Sequence, residues 1–347
     1  MERGLRFIYS VASEPGALAR WGHDLVFCFS SVSATSLNPD LRALAQRMGY
    51  ERALEWRRLH PRPPRDNPAS LSNFVFGTLA ANALGVPGEP DRELVRDAAA
   101  GFPATGFLGF DPSREPPPAD IPAECPRCAL RNRRGAVRCE RCGAALRFET
   151  RYEVWLDALI LTYRGDVYGV KLGAGYADVL KWIEAMRPFP PLDYRPGRQS
   201  YYGAYAVTHV IYTLNDYGRY QLSRDWLPRE FRYLEKNLRA PALHGDPETL
   251  GELMDTLRAF GVSEKDRIFQ HAVDYELAHQ NRDGGWGDPA TDDPYTRFHS
   301  TWTAVDGLRE SSSRATRLRR PELMEVLRPR SLLAARPSPG DDRRKLP

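Results

Sequence analysis

The stretch "CPRCALRNRRGAVRCERCG" carries Cys125, Cys128, Cys139 and Cys142 as two CxxC pairs separated by ten residues. Each CxxC turn aims two thiolates at one point, and two such turns supply the four soft ligands that tetrahedral Zn²⁺ accepts. Two disulfides are the competing arrangement. They are not expected here, because Arg3, Arg6, Glu14, Arg20 and Asp24 interrupt the N-terminal region and nothing there reads as a secretion signal. A redox CxxC does not normally come twice at this separation. With all four positions filled by cysteine, the metal is structural and keeps no open site for a substrate. So few residues build little core, and the metal must supply most of this segment's folding free energy.

The segment resembles a zinc ribbon, with Gly135 and Gly143 where its turns fall. Arg127, Arg131, Arg133, Arg134, Arg138 and Arg141 make it basic. No aromatic is interleaved for base stacking, so a solvated face or a protein partner fits it better than nucleic acid. The net charge of +4 points the same way once it is divided. Residues 311–347 hold ten Lys/Arg against four Asp/Glu, a surplus of six, which leaves the rest of the chain at −2. This basic tail reads as a solvated, partly disordered end. No run of apolar residues is long enough to span a membrane, and the expected location is cytoplasmic. The fifth cysteine, Cys28, lies in "LVFCFSS" and reads as a packing residue.

The remainder reads as helix. A proline-rich linker, residues 111–124, precedes the cysteine segment, so that residues 111–150 form an insertion between a helical portion at 1–110 and a second at 151–310. Within 1–110, residues 5–13 and 24–34 are short apolar runs that suit strand or helix equally. Another proline-rich break at 187–198 precedes a helix beginning near Ser200. In "DPETLGELMDTLRAFG" an Asp246 cap, Pro247 at the first helical position and an apolar face of Leu250, Leu253, Met254 and Leu257 specify one helix. Gly85 is placed to end another. "RGDVYGVKLGAG" has glycines but lacks a strand before and a helix after, and reads as an interhelix turn.

One loop resembles a known family. Tyr275, Gln280, Gly284 and Trp286, around "QNRDGGWGD", resemble the QW motif of the terpenoid cyclase and protein prenyltransferase superfamily. Glu276 occupies the motif's leucine position, with Leu277 one place later. The resemblance implies an α/α toroid, in which helical hairpins form an inner and an outer ring around a central active site. It also implies that Gln280 caps a helix end and that Trp286 wedges between helix pairs. The superfamily's reactions do not carry over. There is no DxDD tetrapeptide of class II triterpene cyclases, "TDDP" at 291–294 not being one. Phe298-His299-Ser300 only approximates the prenyltransferase zinc histidine, and no cysteine outside the insertion could join it.

Tyr205, His209, Tyr212 and Asp216 stand at i, i+4, i+7 and i+11, on one face if a single helix carries them. His299, Thr303 and Asp306 share a face of a later helix, and His271 and His279 lie between the two. Tyr and His on amphipathic helices also serve plain packing, and His279 suits a helix C-terminus. The functional reading takes His209 or His299 as base or metal ligand and Asp216 as carboxylate partner, with Tyr205 and Tyr212 lining the cavity. Its metal version gathers His209, His271 and His299 around a second ion, zinc or iron. The expectation is a mainly α protein, an α/α toroid with an inserted zinc ribbon, acting on a small apolar, isoprenoid-like substrate. A noncatalytic module that binds protein or peptide and assembles through the ribbon is the alternative, and a polysaccharide-active enzyme the third.

Overall fold

The computed structural model describes residues 1–327 except 91, 129, 131, 196–200 and 313. The tail beyond 327, Arg131 and Ser200 lie outside the described residues. Both ambiguous N-terminal runs are helical, in α1 (Glu2–Ala12) and α2 (Ala17–Thr35). Leu5, Ile8, Val11 and Ala12 recur every three to four residues and are buried, a helical period that no strand would satisfy. Next come α3 (Pro39–Leu59), α4 (Pro68–Ala83), α5 (Arg92–Ala100) and α6 (Ala104–Leu108). Asn38 and Asn67 cap α3 and α4, each followed by proline at the first helical position. Gly85, just past α4, takes φ +77° and ends it as expected.

After the cysteine segment run α7 (Arg151–Tyr168), α8 (Tyr176–Leu180), α9 (Ile183–Met186), α10 (Tyr201–Leu214), α11 (Pro228–Asn237) and α12 (Arg239–His244). They are followed by α13 (Pro247–Arg258), α14 (Arg267–Ala278) and α15 (Pro294–Leu308). A reciprocal capping box between Thr150 and Glu153 starts α7, and Asp246 with Pro247 starts α13. Residues 164–168 of "RGDVYGVKLGAG" finish α7; the rest is turn.

Six helices touch in a closed cycle: α2 packs on α4, α4 on α7, α7 on α10, α10 on α13, α13 on α15, and α15 on α2. α1, α3, α11 and α14 pack against members of that cycle. Residues 1–110 therefore supply α2 and α4 to the same arrangement as residues 151–310. The tightest crossing joins α13 and α15, where a Cβ on Gly251 would lie 2.3 Å from the Thr303 carbonyl oxygen. On α2 and α4, Gly22 and Gly77 leave room for the buried Trp56 ring.

The loop 280–288 ties the last helices to the first. Trp286 is fully buried, and its indole Nε1 donates at 2.8 Å to the Glu276 carbonyl in the last turn of α14, which also accepts from the His279 backbone N–H at 3.2 Å. Gln280 does not perform that cap. Its Nε2 donates to the Gly284 carbonyl at 2.8 Å and closes its own loop. Gly284, at φ +96°, passes so near α1 that a Cβ would sit 2.6 Å from the Arg3 carbonyl oxygen. Arg3 Nη2 donates to the carbonyls of Asn281 and Arg282.

Glu276, at the motif's leucine position, is 0% exposed, and neither carboxyl oxygen has a hydrogen-bond partner. Burial first, and the Asp246 charge second, push its pKa well above the ordinary value. Replacement by leucine should therefore stabilise the fold by ~1–3 kcal/mol in a denaturant titration. A group whose folded pKa is raised loses its contribution as pH rises from the unfolded value, ~4.3. The gap between Glu276→Leu and the parent should accordingly widen above that pH. A constant gap, or a less stable variant, contradicts this account of the site.

Candidate functional site

Side chains from all six helices of the cycle line one cavity of about 360 Å³. α15 contributes Tyr295, His299, Trp302, Thr303 and Asp306, one helical stripe. α13 contributes Glu252 and Asp255, α10 His209 and Tyr212, α7 Asp157 and Arg164, and α2 His23, Asp24 and Phe27. One sector is aromatic: Phe27 lies edge-on to Tyr217 and to Trp302, with centroids 5.0 and 5.8 Å apart. The remaining lining is largely ionisable.

His209 and His299 both face this space and differ in charge. His209 Nδ1 lies 2.8 Å from the Tyr205 carbonyl oxygen and donates to it, which fixes the tautomer and leaves a lone pair on Nε2. Burial lowers its pKa to about 4, helped by the positive charges of His299 and Arg164 and opposed by the Tyr205 contact. His299 Nδ1 lies 3.1 Å from Glu248 Oε1. Burial would neutralise this ring too, but the charge and hydrogen bond of Glu248 prevail and raise it to about 9. Glu248 is itself held at about 2. Its burial is outweighed by His299, with hydrogen bonds from Tyr205 at 2.7 Å and Ser300 at 3.2 Å.

The carboxyls of Glu252 and Asp255 behave oppositely. Glu252 accepts from Thr208 Oγ1 at 2.6 Å, and burial raises it to about 8 despite His299. Asp255 rises to about 7 through burial and the neighbouring Asp306 charge. Asp306 accepts from the buried Arg309 at 2.6 Å. Near neutrality the cavity thus presents an unprotonated imidazole, a protonated carboxyl and a charged His–Glu pair in one enclosure.

The sequence-derived residues divide. His209, Tyr212, His299, Thr303 and Asp306 line the cavity. Tyr205 does not line it but positions Glu248 through its hydroxyl. Asp216 is not on that face: α10 ends at Leu214, and Asp216 takes φ 56° and accepts from the Tyr163 hydroxyl beside a second hollow. Extrapolating the helical period to i+11 ran past the helix end. His271 on α14 and His279 just past its end are exposed, outside the cycle, and His279 stacks on Tyr275 with centroids 3.8 Å apart. The trio His209, His271 and His299 is therefore not brought together. Cys28 is fully buried, as a packing residue would be.

Glu248, Glu252 and Asp255 were missed. They stand at i, i+4 and i+7 on α13, a periodic acidic stripe, but the apolar face of that helix already accounted for it as an ordinary amphipathic element. In fact residues 249–258 are buried on every side.

Among the described residues, one group has ligand atoms converging as a metal requires: Cys125, Cys128, Cys139 and Cys142, whose sulfurs all lie within 4.8 Å of one another. Cys125 and Cys142 approach to 3.4 Å and Cys128 and Cys139 to 3.5 Å. Tetrahedral Zn–S bonds of ~2.3 Å imply sulfur separations of ~3.8 Å, so the set fits such an ion. Gly135 and Gly143 take φ +77° and +72° in the flanking turns. The Arg134 guanidinium ties the module to its linker through Glu115 at 2.8 Å and Asp120 at 2.7 Å. Among the described residues no helix is long and apolar enough to cross a membrane.

Compared with protein-family models, curated proteins and solved structures, the chain matches none. The chemistry of its own side chains carries the functional argument.

Proposed function

We propose that this chain is an enzyme performing acid–base chemistry on an organic molecule held in the central cavity of an α/α toroid. The observation that carries the reading is the enclosure of a free imidazole nitrogen, His209 Nε2, with the proton-bearing Glu252 in one partly aromatic cavity. His209 is the base, Glu252 the acid, and the His299–Glu248 pair a fixed charge that orients a polar group. Tyr212 and Trp302 form the apolar wall. The closed cycle of helices and the buried clasp of Trp286 support the toroid reading and the terpenoid-cyclase-like ancestry that the loop suggests. The ionisable wall favours a substrate with a polar end over a pure hydrocarbon, and acid–base chemistry over a second metal. In the cysteine module we read the ion as zinc, with a structural role.

The test begins with ligands found by thermal shift among isoprenoids, aryl compounds and glycans, followed by mass-spectrometric detection of turnover. The rate should rise as pH passes about 4, where His209 loses its proton, and fall as pH passes about 8, where Glu252 loses its own. His209→Asn should lower kcat by ~10²–10⁴-fold and Glu252→Gln should remove the alkaline limb. Turnover indifferent to both substitutions sinks the reading.

A further inference from the structure

Beside the cavity lies a second hollow of about 160 Å³. Phe27, Ser31, Arg164 and Tyr217 line both, so the two share a wall. Their chemistry differs. The smaller hollow is bounded largely by Phe76, Leu79, Ala80, Ala83 and Val167, and it meets the surface at the exposed Ala83. Polar groups on its rim are already engaged: Ser30 donates to the Phe27 carbonyl, Thr35 to the Ser31 carbonyl and Tyr163 to Asp216.

Arg164 is the charged group among them that is short of acceptors. Its guanidinium carbon lies 3.0 Å from the Phe76 ring centroid, and its Nε is buried with no hydrogen-bond partner. The Asp24 carboxylate approaches only to 3.9 Å, too far for a hydrogen bond. Asp24 is engaged elsewhere, accepting from the Tyr295 hydroxyl at 3.0 Å with His23 Nε2 at 3.4 Å. An enclosed guanidinium short of acceptors carries a desolvation cost that an added oxyanion would offset.

We propose that this junction binds an amphipathic monocarboxylate, its chain in the apolar annex and its carboxylate on Arg164. The planar fork of Arg matches a carboxylate in two parallel hydrogen bonds. A diphosphate fits less well, because its further charges would face Asp24 and Asp157, while the cavity's other cation, His299, is already paired with Glu248. Among the described residues, the annex's other lining cation is Arg219, which pairs with Asp216 at 3.5 Å. The assignment rests on the enzymatic reading for what happens to the ligand, and names its substrate class. Binding itself needs no catalysis.

Isothermal titration of the full, metal-loaded chain at ~0.15 M salt would use acetate, hexanoate, decanoate, decyl diphosphate and decylammonium. Affinity should climb from acetate to decanoate, and decanoate should bind at least about tenfold more tightly than either decyl diphosphate or decylammonium. Arg164→Gln should weaken decanoate by about tenfold or more, and Arg164→Lys should recover part of the loss. Ala83→Trp, a change at the surface that tests the annex without touching the buried arginine, should flatten the dependence on chain length. Decylammonium or the diphosphate binding as tightly as decanoate overturns the assignment, as does affinity indifferent to chain length or to both substitutions. Titration of the parent chain and of His209→Asn separates the two proposals: decanoate bound by both, with turnover unaltered by the substitution, refutes the acid–base reading alone, and decanoate bound by neither, with turnover and its acid limb lost in His209→Asn, refutes the annex alone.

Discussion

Cys139→Ser will release the metal and unfold residues 120–149 while leaving the helical cycle standing. The module has little else to hold it: bridges pair Pro122 with Phe148 and Arg138 with Ala145, and few of its side chains are deeply buried. Structural zinc contributes apparent binding free energies of ~10–16 kcal/mol in peptides of this kind, far more than so small a core supplies. The six helices, by contrast, pack on one another through a continuous core that excludes the four cysteines. Bound metal should fall from one equivalent to none by elemental analysis, limited proteolysis should cut within the module, and far-ultraviolet circular dichroism should barely change. Metal retained by the serine variant would falsify the four-sulfur site. Collapse of the whole helical signal would show instead that the module is integral to the helical core.

The second large effect belongs to Trp286→Ala. The ring is fully buried against α1, where a Cβ on Gly4 would come within 3.0 Å of it, and its backbone N–H donates to Thr301 Oγ1 at 2.9 Å. Truncation leaves a cavity and removes one of the two donors to the Glu276 carbonyl, for a loss of ~3–5 kcal/mol dominated by the lost packing. Because the clasp connects α14, α15 and α1, hydrogen exchange should accelerate in those helices before the rest. Trp286→Phe should cost less, since it keeps most of the packing and forfeits the indole hydrogen bond. Equal losses for the two variants would mean that the hydrogen bond dominates; a loss below ~1 kcal/mol for alanine would mean that the wedge is not structural.

Both sites were legible in the sequence, the cysteines from their local spacing and Trp286 from the resemblance its loop carries, although its seat against α1 was not. A CxxC turn presets its own sulfurs, and Trp286 reaches back only ten residues to Glu276. The helix caps at Asp246 and Gly85 are equally local. The cavity was legible only in part. His209 and His299 stand out as polar side chains within apolar helices, whereas Glu248, Glu252 and Asp255 look like the solvated side of an amphipathic helix until α10 and α15 are packed on them. Arg164 gave no signal at all, since its lack of an acceptor depends on Phe76 and Asp24, each more than 80 residues away.

Sequence alone thus determined the helical character and the convergence of four cysteines, because short-range geometry and period suffice for them, and the loop's resemblance pointed to the tryptophan clasp. Tertiary structure alone decided which ionisable groups share an enclosure, that Asp216 turns away, and which carboxyls keep their protons. A pKa responds to burial and to charges several ångströms off, and both are set by helices that meet only when the cycle closes.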